Sequence, residues 1–271
     1  MNRAHVLKHE TWRESISVPE DTLLFWRFGT TGLYIRKSGE VCNILTEQDP
    51  GGKPAWQFAK PISKGREKSP EGKWESYFVG SMETIKIVPI VPDRPLVLKP
   101  SNAVKLLPGR AVTFYFGIPL WIRVITERGN VSTTIRDVPL NTFSQIWFGD
   151  PLGGELCYSL DISLFTQSEQ IDLTPCTSLC KVRIKNGSAS LLDLQKICLH
   201  TEYYTIFERK GVLWTDELIY QFRGEEQSSQ INYTRKPPKE SGGAKLLTAP
   251  RVLPTQNIIK RSFGILKDFA G

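Results

Sequence analysis

The sequence lacks any long apolar run and has few of the residues on which common catalytic sites depend. Its longest apolar segment, residues 112–124, is shorter than the ~18 uncharged apolar residues of a membrane-spanning helix. The first ten residues form no apolar run either, so we expect no secretory signal. The chain has three histidines, hence few general bases, and no Gly-x-Ser-x-Gly motif. These absences favour a soluble, cytoplasmic protein and argue against an enzyme.

Cysteine is also scarce, with five residues in the chain. Without a secretory context, an odd number of thiols is expected to stay reduced. Zinc binds four nitrogen or sulfur ligands in a tetrahedron, and the best candidate ligands are Cys176, Cys180, Cys198 and His200. Cys198 and His200 are two apart on a predicted strand and so share one face. Free cysteine is often an ordinary buried residue, and we take this as the simpler interpretation. Zinc is the alternative and the one cofactor that the sequence suggests.

The glycine-rich segment 147–158 matches neither of the common phosphate-binding loop patterns. A turn between two strands, starting at Asp150 and Pro151, is the simpler interpretation. Asp150 and Glu155 are both acidic, but two acids alone do not make a calcium site. We therefore predict a turn at this segment.

What the sequence has in plenty is short β-rich runs separated by turn residues. Strong hairpin signals lie at Gly39 and at Asn186-Gly187, where the dipeptide supplies the positive φ of a tight turn. The aromatic run 112–126 is interrupted at Pro119, which predicts an edge position or a bulge. We predict an all-β fold of two β-sandwich-like modules with a short C-terminal amphipathic helix. Large aromatic side chains should fill its core, including Trp121, Trp147 and Trp214.

Proline and glycine mark the predicted boundaries. An N-terminal β module spans residues 1–91 and contains a basic, Pro/Gly-rich loop at 47–73. A proline-rich segment at 89–108 leads into a second module, residues 92–234, and residues 235–271 form a linker and tail. A single continuous sandwich is the competing interpretation.

Positive charge is concentrated in the last 37 residues. They hold eight Lys or Arg and two acids, whereas residues 1–234 hold 27 basic and 26 acidic residues. A helix predicted over 256–269 has an apolar stripe, with three cations largely off that stripe. Such a tail favours contact with an anionic surface, either a membrane, with peripheral attachment, or an acidic protein face. Packing on the protein's own body is the simpler alternative. The three cations are Lys260, Arg261 and Lys267.

Several segments resemble a family of uncharacterised, mainly archaeal proteins known as domain of unknown function 432. The resemblance covers most of residues 20–235 and implies no established activity or site residues. It also suggests a loose association with small mechanosensitive channels. The segments that carry it are 92–100 (PDRPLVLKP), 107–109 (LPG), 118–122 (IPLWI), 147–159 (WFGDPLGGELCYS) and 182–186 (VRIKN).

We therefore expect a noncatalytic binding or accessory protein. Its β body would dock a protein partner, with a membrane protein among the candidates, and its tail would contact an anionic surface. One alternative is a nucleic-acid-binding module that uses the 53–73 loop, where six basic residues are flanked by aromatic side chains. The other alternative is a zinc-dependent enzyme built on the cysteine and histidine residues.

Overall fold

The computed structural model describes residues 12–62, 70–224, 229–253 and 258–260. Over these ranges the chain is nearly all β, with three short 3₁₀ helices (Ser168–Gln170, Thr201–Tyr203 and Lys239–Ser241) and no α-helix. The first twelve strands are β1 (Ser15–Ser17), β2 (Leu23–Gly29), β3 (Thr31–Ser38), β4 (Val41–Gln48), β5 (Ala55–Ile62), β6 (Glu75–Phe78), β7 (Thr84–Ile90), β8 (Leu96–Pro100), β9 (Val104–Leu106), β10 (Ala111–Pro119), β11 (Trp121–Arg128) and β12 (Val131–Val138). The remaining strands are β13 (Ser144–Phe148), β14 (Glu155–Ile162), β15 (Thr177–Asn186), β16 (Leu192–Leu194), β17 (Ile197–Leu199), β18 (Ile206–Arg209), β19 (Val212–Thr215), β20 (Leu218–Phe222), β21 (Ser229–Tyr233), β22 (Lys245–Thr248) and β23 (Ile258–Lys260).

The described residues form two compact units. The N-terminal unit takes those up to Ile90 together with Leu120–Asn141, and the C-terminal unit takes Val91–Pro119 and those from Thr142 onwards. The units therefore alternate along the chain, and β11 and β12 group with the N-terminal strands. The division into independently folding domains at residue 91 stays a prediction.

The N-terminal unit contains two antiparallel sheets. Their strand orders are β5-β2-β3-β4-β6 and β1-β7-β11-β12. Along β2, Leu24, Trp26 and Phe28 are buried while the residues between them are half-buried, because successive side chains of a strand point to opposite faces. Strands β3 and β4 form the hairpin predicted at Gly39, whose φ is +57°.

The C-terminal unit is built around β15. Strand β10 pairs with one edge of β15, and β19 and β20 pair in parallel with the other. A second sheet has the order β13-β14-β8-β17, and β9 pairs with β16. Buried Cys180, Val182 and Ile184 alternate along β15, which makes this strand the centre of the unit's main sheet.

The predicted hairpin at Asn186-Gly187 is wrong. Both edges of β15 are already paired, so the chain that follows Asn186 has no free edge there, and β16 pairs with β9 instead. The buried Asn186 amide instead donates to the carbonyl oxygens of Leu106 (2.9 Å) and Ser190 (2.8 Å). Gly187 extends the pairing by donating its N–H to Phe222 O at 2.8 Å.

The aromatic run 112–126 is two strands rather than one. It breaks at Leu120, and β10 and β11 belong to different sheets and different units. Proline cannot donate to a sheet ladder, and Pro119 ends β10 instead of forming a bulge. The alternating apolar residues of the run are nevertheless buried as their pattern predicts: Phe114, Phe116, Ile118, Leu120, Ile122 and Val124.

The predicted loop 47–73 contains a strand. Strand β4 continues to Gln48, and β5 pairs with β2 at the sheet's edge. Proline residues at 54 and 61 obscured this strand in the sequence, although an edge strand tolerates proline. Residues 63–69 lie outside the described ranges.

The predicted tail helix over 256–269 lies outside the described residues except for Ile258–Lys260. These three residues pair with β21 as the short strand β23.

The predicted burial of Trp121 and Trp214 is confirmed, since these two residues are 6% and 7% exposed.

Candidate functional site

The β13–β14 hairpin presents different chemistry on its two faces. Its register places Ile146 opposite Cys157, and the next pair along is Trp147 opposite Leu156. Because successive residues point to opposite faces, these two pairs lie on opposite sides of the hairpin. Cys157 is fully buried, whereas Trp147 and Leu156 are exposed.

A rigid turn over residues 149–154 joins the two strands, as the sequence predicts. The Asp150 carboxylate accepts hydrogen bonds from the backbone N–H groups of Leu152 (3.1 Å) and Gly153 (2.6 Å). Gly154 is required by close packing, because a Cβ atom there would lie 2.7 Å from the carbonyl oxygen of Asp150. The glycine-rich segment is therefore a compact turn.

The expectation that Trp147 is buried is wrong, since it is 51% exposed. Its indole N–H donates to the carbonyl oxygen of Asp150 at 3.0 Å, which holds the ring beside the turn. Leu152, at the tip of the turn, is 99% exposed, and Leu156 is 39% exposed. We name Trp147, Leu152 and Leu156 the hairpin patch.

The chain on either side of the hairpin patch is acidic within the C-terminal unit. Residues 142–180 contain five acids and no Lys, Arg or His. Basic residues elsewhere in residues 1–234 balance these acids. The near-neutral net charge of that range therefore does not reveal the acidic segment. The five acids are Asp150, Glu155, Asp161, Glu169 and Asp172.

On the buried face, the thiols of Cys157 and Cys198 approach the carboxylate of Glu155. One ligand atom from each of the three lies within 4.8 Å of the others. Cys157 and Glu155 come from β14 and Cys198 comes from β17, and these strands pair with opposite edges of β8. We name Glu155, Cys157 and Cys198 the thiol cluster.

His200 adjoins the thiol cluster. Its side chain is fully buried, and its Nδ1 lies 3.5 Å from Glu155 Oε1 and 3.8 Å from Glu202 Oε1. Two buried tyrosines fix the backbone: Tyr220 OH donates to Cys198 O at 2.8 Å and Tyr233 OH donates to His200 O at 3.1 Å. The Glu155 side chain is 38% exposed and gives the cluster an opening to solvent.

The pKa of the Cys198 thiol is raised far above its ordinary value. The largest cause is its hydrogen bond with Cys157, followed by burial and the nearby carboxylates of Glu155 and Glu202. A thiol needs a lowered pKa to act as a nucleophile at neutral pH. Cys198 is therefore a poor nucleophile in this environment.

The structure brings together only part of the ligand set predicted from the sequence. Cys198 and His200 both lie beside Glu155, but Cys176 and Cys180 are not in this group. Cys180 lies on β15 with its Sγ 3.4 Å from Tyr204 OH, and burial raises its pKa to about 12. Cys176 precedes β15, and burial raises its pKa as well.

Cys157 and Glu202 belong to this region but are not among the ligands predicted from the sequence. The signal was present as two alternating runs, Glu155-x-Cys157 and Cys198-x-His200-x-Glu202. Alternation on a strand places such residues on one face, but it does not show that the two runs meet.

The aromatic residues that flank the predicted nucleic-acid loop have contacts within the chain. Phe58 packs edge-on against Trp12 and Phe28, with ring centroids 5.0 and 5.7 Å apart. The Arg36 guanidinium lies over the Trp74 ring at 5.4 Å. The central cations of that loop, and the side chains of Lys260, Arg261 and Lys267, lie outside the described residues.

Fold and site define an all-β protein with an exposed apolar hairpin and a buried cluster of thiol, carboxylate and imidazole groups. A family model described as protein of unknown function (DUF432) matches residues 12–267, and the chain belongs to this family. The resemblance seen in the sequence is thereby confirmed. No curated protein and no solved structure gives a match. Over the described ranges, the chain has no helix with the length and apolar character needed to cross a membrane.

Proposed function

We propose that this chain is a noncatalytic binding protein that docks a protein partner through the hairpin patch. The observation that carries the proposal is the exposed Trp147 ring, held beside the turn by its hydrogen bond to Asp150 O. Trp is among the residues that most often dominate binding free energy at protein interfaces. An exposed Trp in a fixed orientation is therefore a suitable anchor for a partner.

The hairpin patch is ordered before any partner arrives. Asp150 fixes the turn through two backbone N–H groups, and Trp147 is opposite Leu156 across the strand pair. Ordering a mobile side chain at an interface costs about 0.5–1.5 kcal/mol. The turn has already restricted Trp147, so less of this cost falls on binding.

The charge of the chain segment that forms the hairpin patch suggests the chemistry of the partner. Residues 142–180, all in the C-terminal unit, carry five acids and no basic residue. Complementary charges at the rim of an interface select partners and speed association. We propose a partner that presents an apolar segment flanked by Lys or Arg.

The basic tail, residues 235–271, is proposed as a second contact, directed to an anionic surface. The composition of the tail supports this proposal, because it contains eight Lys or Arg and two acids and is therefore strongly basic. Because strand β23 takes Ile258–Lys260 out of the helix predicted over 256–269, the proposal depends on the charge of the tail, including Lys260, Arg261 and Lys267. We further propose that each unit is a β-sandwich, which the alternating burial along β2 and β15 supports.

The two alternative functions have less support. The contacts of Phe58 and Trp74 reduce the aromatic surface available for stacking on nucleic-acid bases. The raised pKa of Cys198 disfavours thiol chemistry. No described feature favours a zinc-dependent enzyme over a noncatalytic binding protein.

Capture from a native extract followed by reconstitution tests the docking proposal. The wild-type chain and the variants Trp147→Ala and Leu152→Ser are used as baits, and proteins lost from the variants are identified, purified and titrated against the wild type. We expect one purified partner to bind the wild type at least about 10-fold more tightly than Trp147→Ala, as for a hot-spot residue. Its affinity should fall as salt rises.

Phe78→Ser is the matched control, because Phe78 is 87% exposed but lies on the N-terminal unit. It should bind the partner as the wild type does. Equal binding by Trp147→Ala and the wild type would refute docking through the hairpin patch. Self-association of the wild type that Trp147→Ala abolishes would show that the occupant is a second copy, against the proposal.

A further inference from the structure

We infer that the thiol cluster is a binding site for a divalent transition metal of the zinc class. Cys157, Cys198 and Glu155 are the proposed ligands. His200, which lies outside that compact group but has its Nδ1 3.5 Å from Glu155 Oε1, is proposed as the fourth. This set differs from the one predicted from the sequence, because Glu155 and Cys157 replace Cys176 and Cys180.

The distances suit a tetrahedral ion. Ligands about 2.0 to 2.3 Å from zinc stand roughly 3.3 to 3.8 Å from one another. His200 Nδ1 and Glu155 Oε1 are already 3.5 Å apart, and the ligand atoms of the thiol cluster lie within 4.8 Å of one another. Side-chain movements of about 1 Å would therefore bring the thiol cluster to tetrahedral ligand spacing.

The donor atoms select the type of ion. Mg²⁺ and Ca²⁺ take oxygen ligands, whereas two sulfurs with an imidazole suit zinc and similar borderline-soft ions. On binding, each thiol loses its proton to solvent, so one ion replaces two protons. The carboxylates of Glu155 and Glu202 lie 3.5 and 3.8 Å from His200 Nδ1 and stabilise a cation placed among them. The half-exposed Glu155 provides the entry point for the ion.

The surroundings hold the proposed ligands in place. Tyr220 and Tyr233 fix the carbonyl groups of Cys198 and His200, so the alternation that turns both side chains to one face is maintained. Glu202 Oε1 lies 3.8 Å from His200 Nδ1, the same nitrogen that faces Glu155, and adds negative charge beside the proposed ion.

An ordinary core position does not account for this composition. The face that holds Cys157 and Cys198 also contains Val97 and Phe148, which an apolar core would extend. Instead it is adjoined by the buried imidazole of His200 and the partly exposed carboxylate of Glu155, which lie 3.5 Å apart. A metal ion would take both groups as ligands together with the two thiols.

Cobalt substitution tests the site. The reduced full-length chain is freed of metal with a chelator, titrated with Co²⁺ and followed by the thiolate-to-cobalt charge-transfer absorption. We expect one equivalent to bind and Zn²⁺ to displace it. Cys157→Ser and Cys198→Ser should each weaken binding by more than about 100-fold, the upper end of what losing a supporting outer group costs.

Three further variants keep the test decisive if Cys157→Ser or Cys198→Ser folds poorly. Glu155→Gln is at a half-exposed position, so it should keep the metal-free Tm and still lower cobalt affinity by at least about 10-fold. Cys180→Ser and Cys42→Ser are the matched controls, both at buried cysteines outside the thiol cluster, and should keep the absorption band. The inference fails if the wild type shows no thiolate–cobalt band. It also fails if Cys180→Ser abolishes the band while Cys157→Ser keeps it.

Discussion

The two units place polar and apolar side chains differently. Among the described residues, the N-terminal unit buries two polar side chains, whereas the C-terminal unit buries ten, including charged or titratable groups at His200, Glu208 and Asp216. The C-terminal unit also holds eight of the ten large hydrophobic residues that are exposed. Burying polar groups and exposing apolar ones both oppose folding, so the C-terminal unit is where binding functions should lie.

Two hairpins show the same contrast at closer range. In β3–β4 the buried face carries Ile35 and Ile44, and the other face carries polar side chains such as Arg36 and Asn43. In β13–β14 one face is buried and the other exposes the hairpin patch. The outer face of β3–β4 is polar, as expected for a strand pair that packs on one side only. The outer face of β13–β14 keeps apolar side chains that are exposed to solvent.

The largest expected effect is the loss of core packing in the N-terminal unit. Ile35 is fully buried on β3, so Ile35→Ala should lower the free energy of unfolding by about 2–5 kcal/mol. Urea denaturation measures the change. Val131→Ala, at a residue 66% exposed in the same unit, should stay within about 0.5 kcal/mol. A loss below 1 kcal/mol for Ile35→Ala would show that this unit is not packed as described.

The next effect concerns a buried carboxyl group of the C-terminal unit. Burial raises the pKa of Asp216 to about 6, although backbone N–H groups of Thr205 and Arg235 donate to it. The folded state then holds this proton more tightly than the unfolded state. The contribution of Asp216 to stability is therefore greatest below pH 4, falls as pH rises to about 6 and is constant above. The full change is on the order of 3 kcal/mol.

The variant Asp216→Asn isolates this contribution, because it cannot titrate. Denaturation of both proteins between pH 4 and 7 should show that the wild type loses stability relative to the variant as pH rises. A constant difference across that window would mean that the pKa of Asp216 is not raised.

The smallest expected effect is on the stability of the hairpin itself. Leu152 is 99% exposed, so Leu152→Ser should change the free energy of unfolding by no more than about 0.5 kcal/mol. The same variant should weaken partner binding, which separates a binding surface from a structural one. Thermal unfolding measures the first quantity, and a destabilisation above 1 kcal/mol would show that Leu152 supports the fold.

Some features of the fold follow from short stretches of sequence. The hairpin at Gly39 and the turn at Asp150 are local, because the residues that define them are within a few positions of one another. The burial of alternating residues in 112–126 also follows from a two-residue period. The break at Leu120 does not follow from that period, because it depends on which strands β10 and β11 pair with.

Other features depend on contacts between distant segments. The Asn186-Gly187 dipeptide predicts a hairpin, but β10 and β20 occupy the edges of β15 and prevent it. Cys157 and Cys198 are far apart in the chain, and β8 brings their strands into one sheet. No spacing in the sequence predicts this pairing.

The sequence by itself determined the all-β class, the turns at Gly39 and Asp150 and the family to which the chain belongs. The tertiary structure decided which strands pair, that Cys198 meets Cys157 rather than Cys176 or Cys180, and that Trp147 lies at the surface. The reason is physical: strand periodicity and turn chemistry act between near neighbours, whereas strand partners and solvent exposure are set by free energies summed over the folded chain.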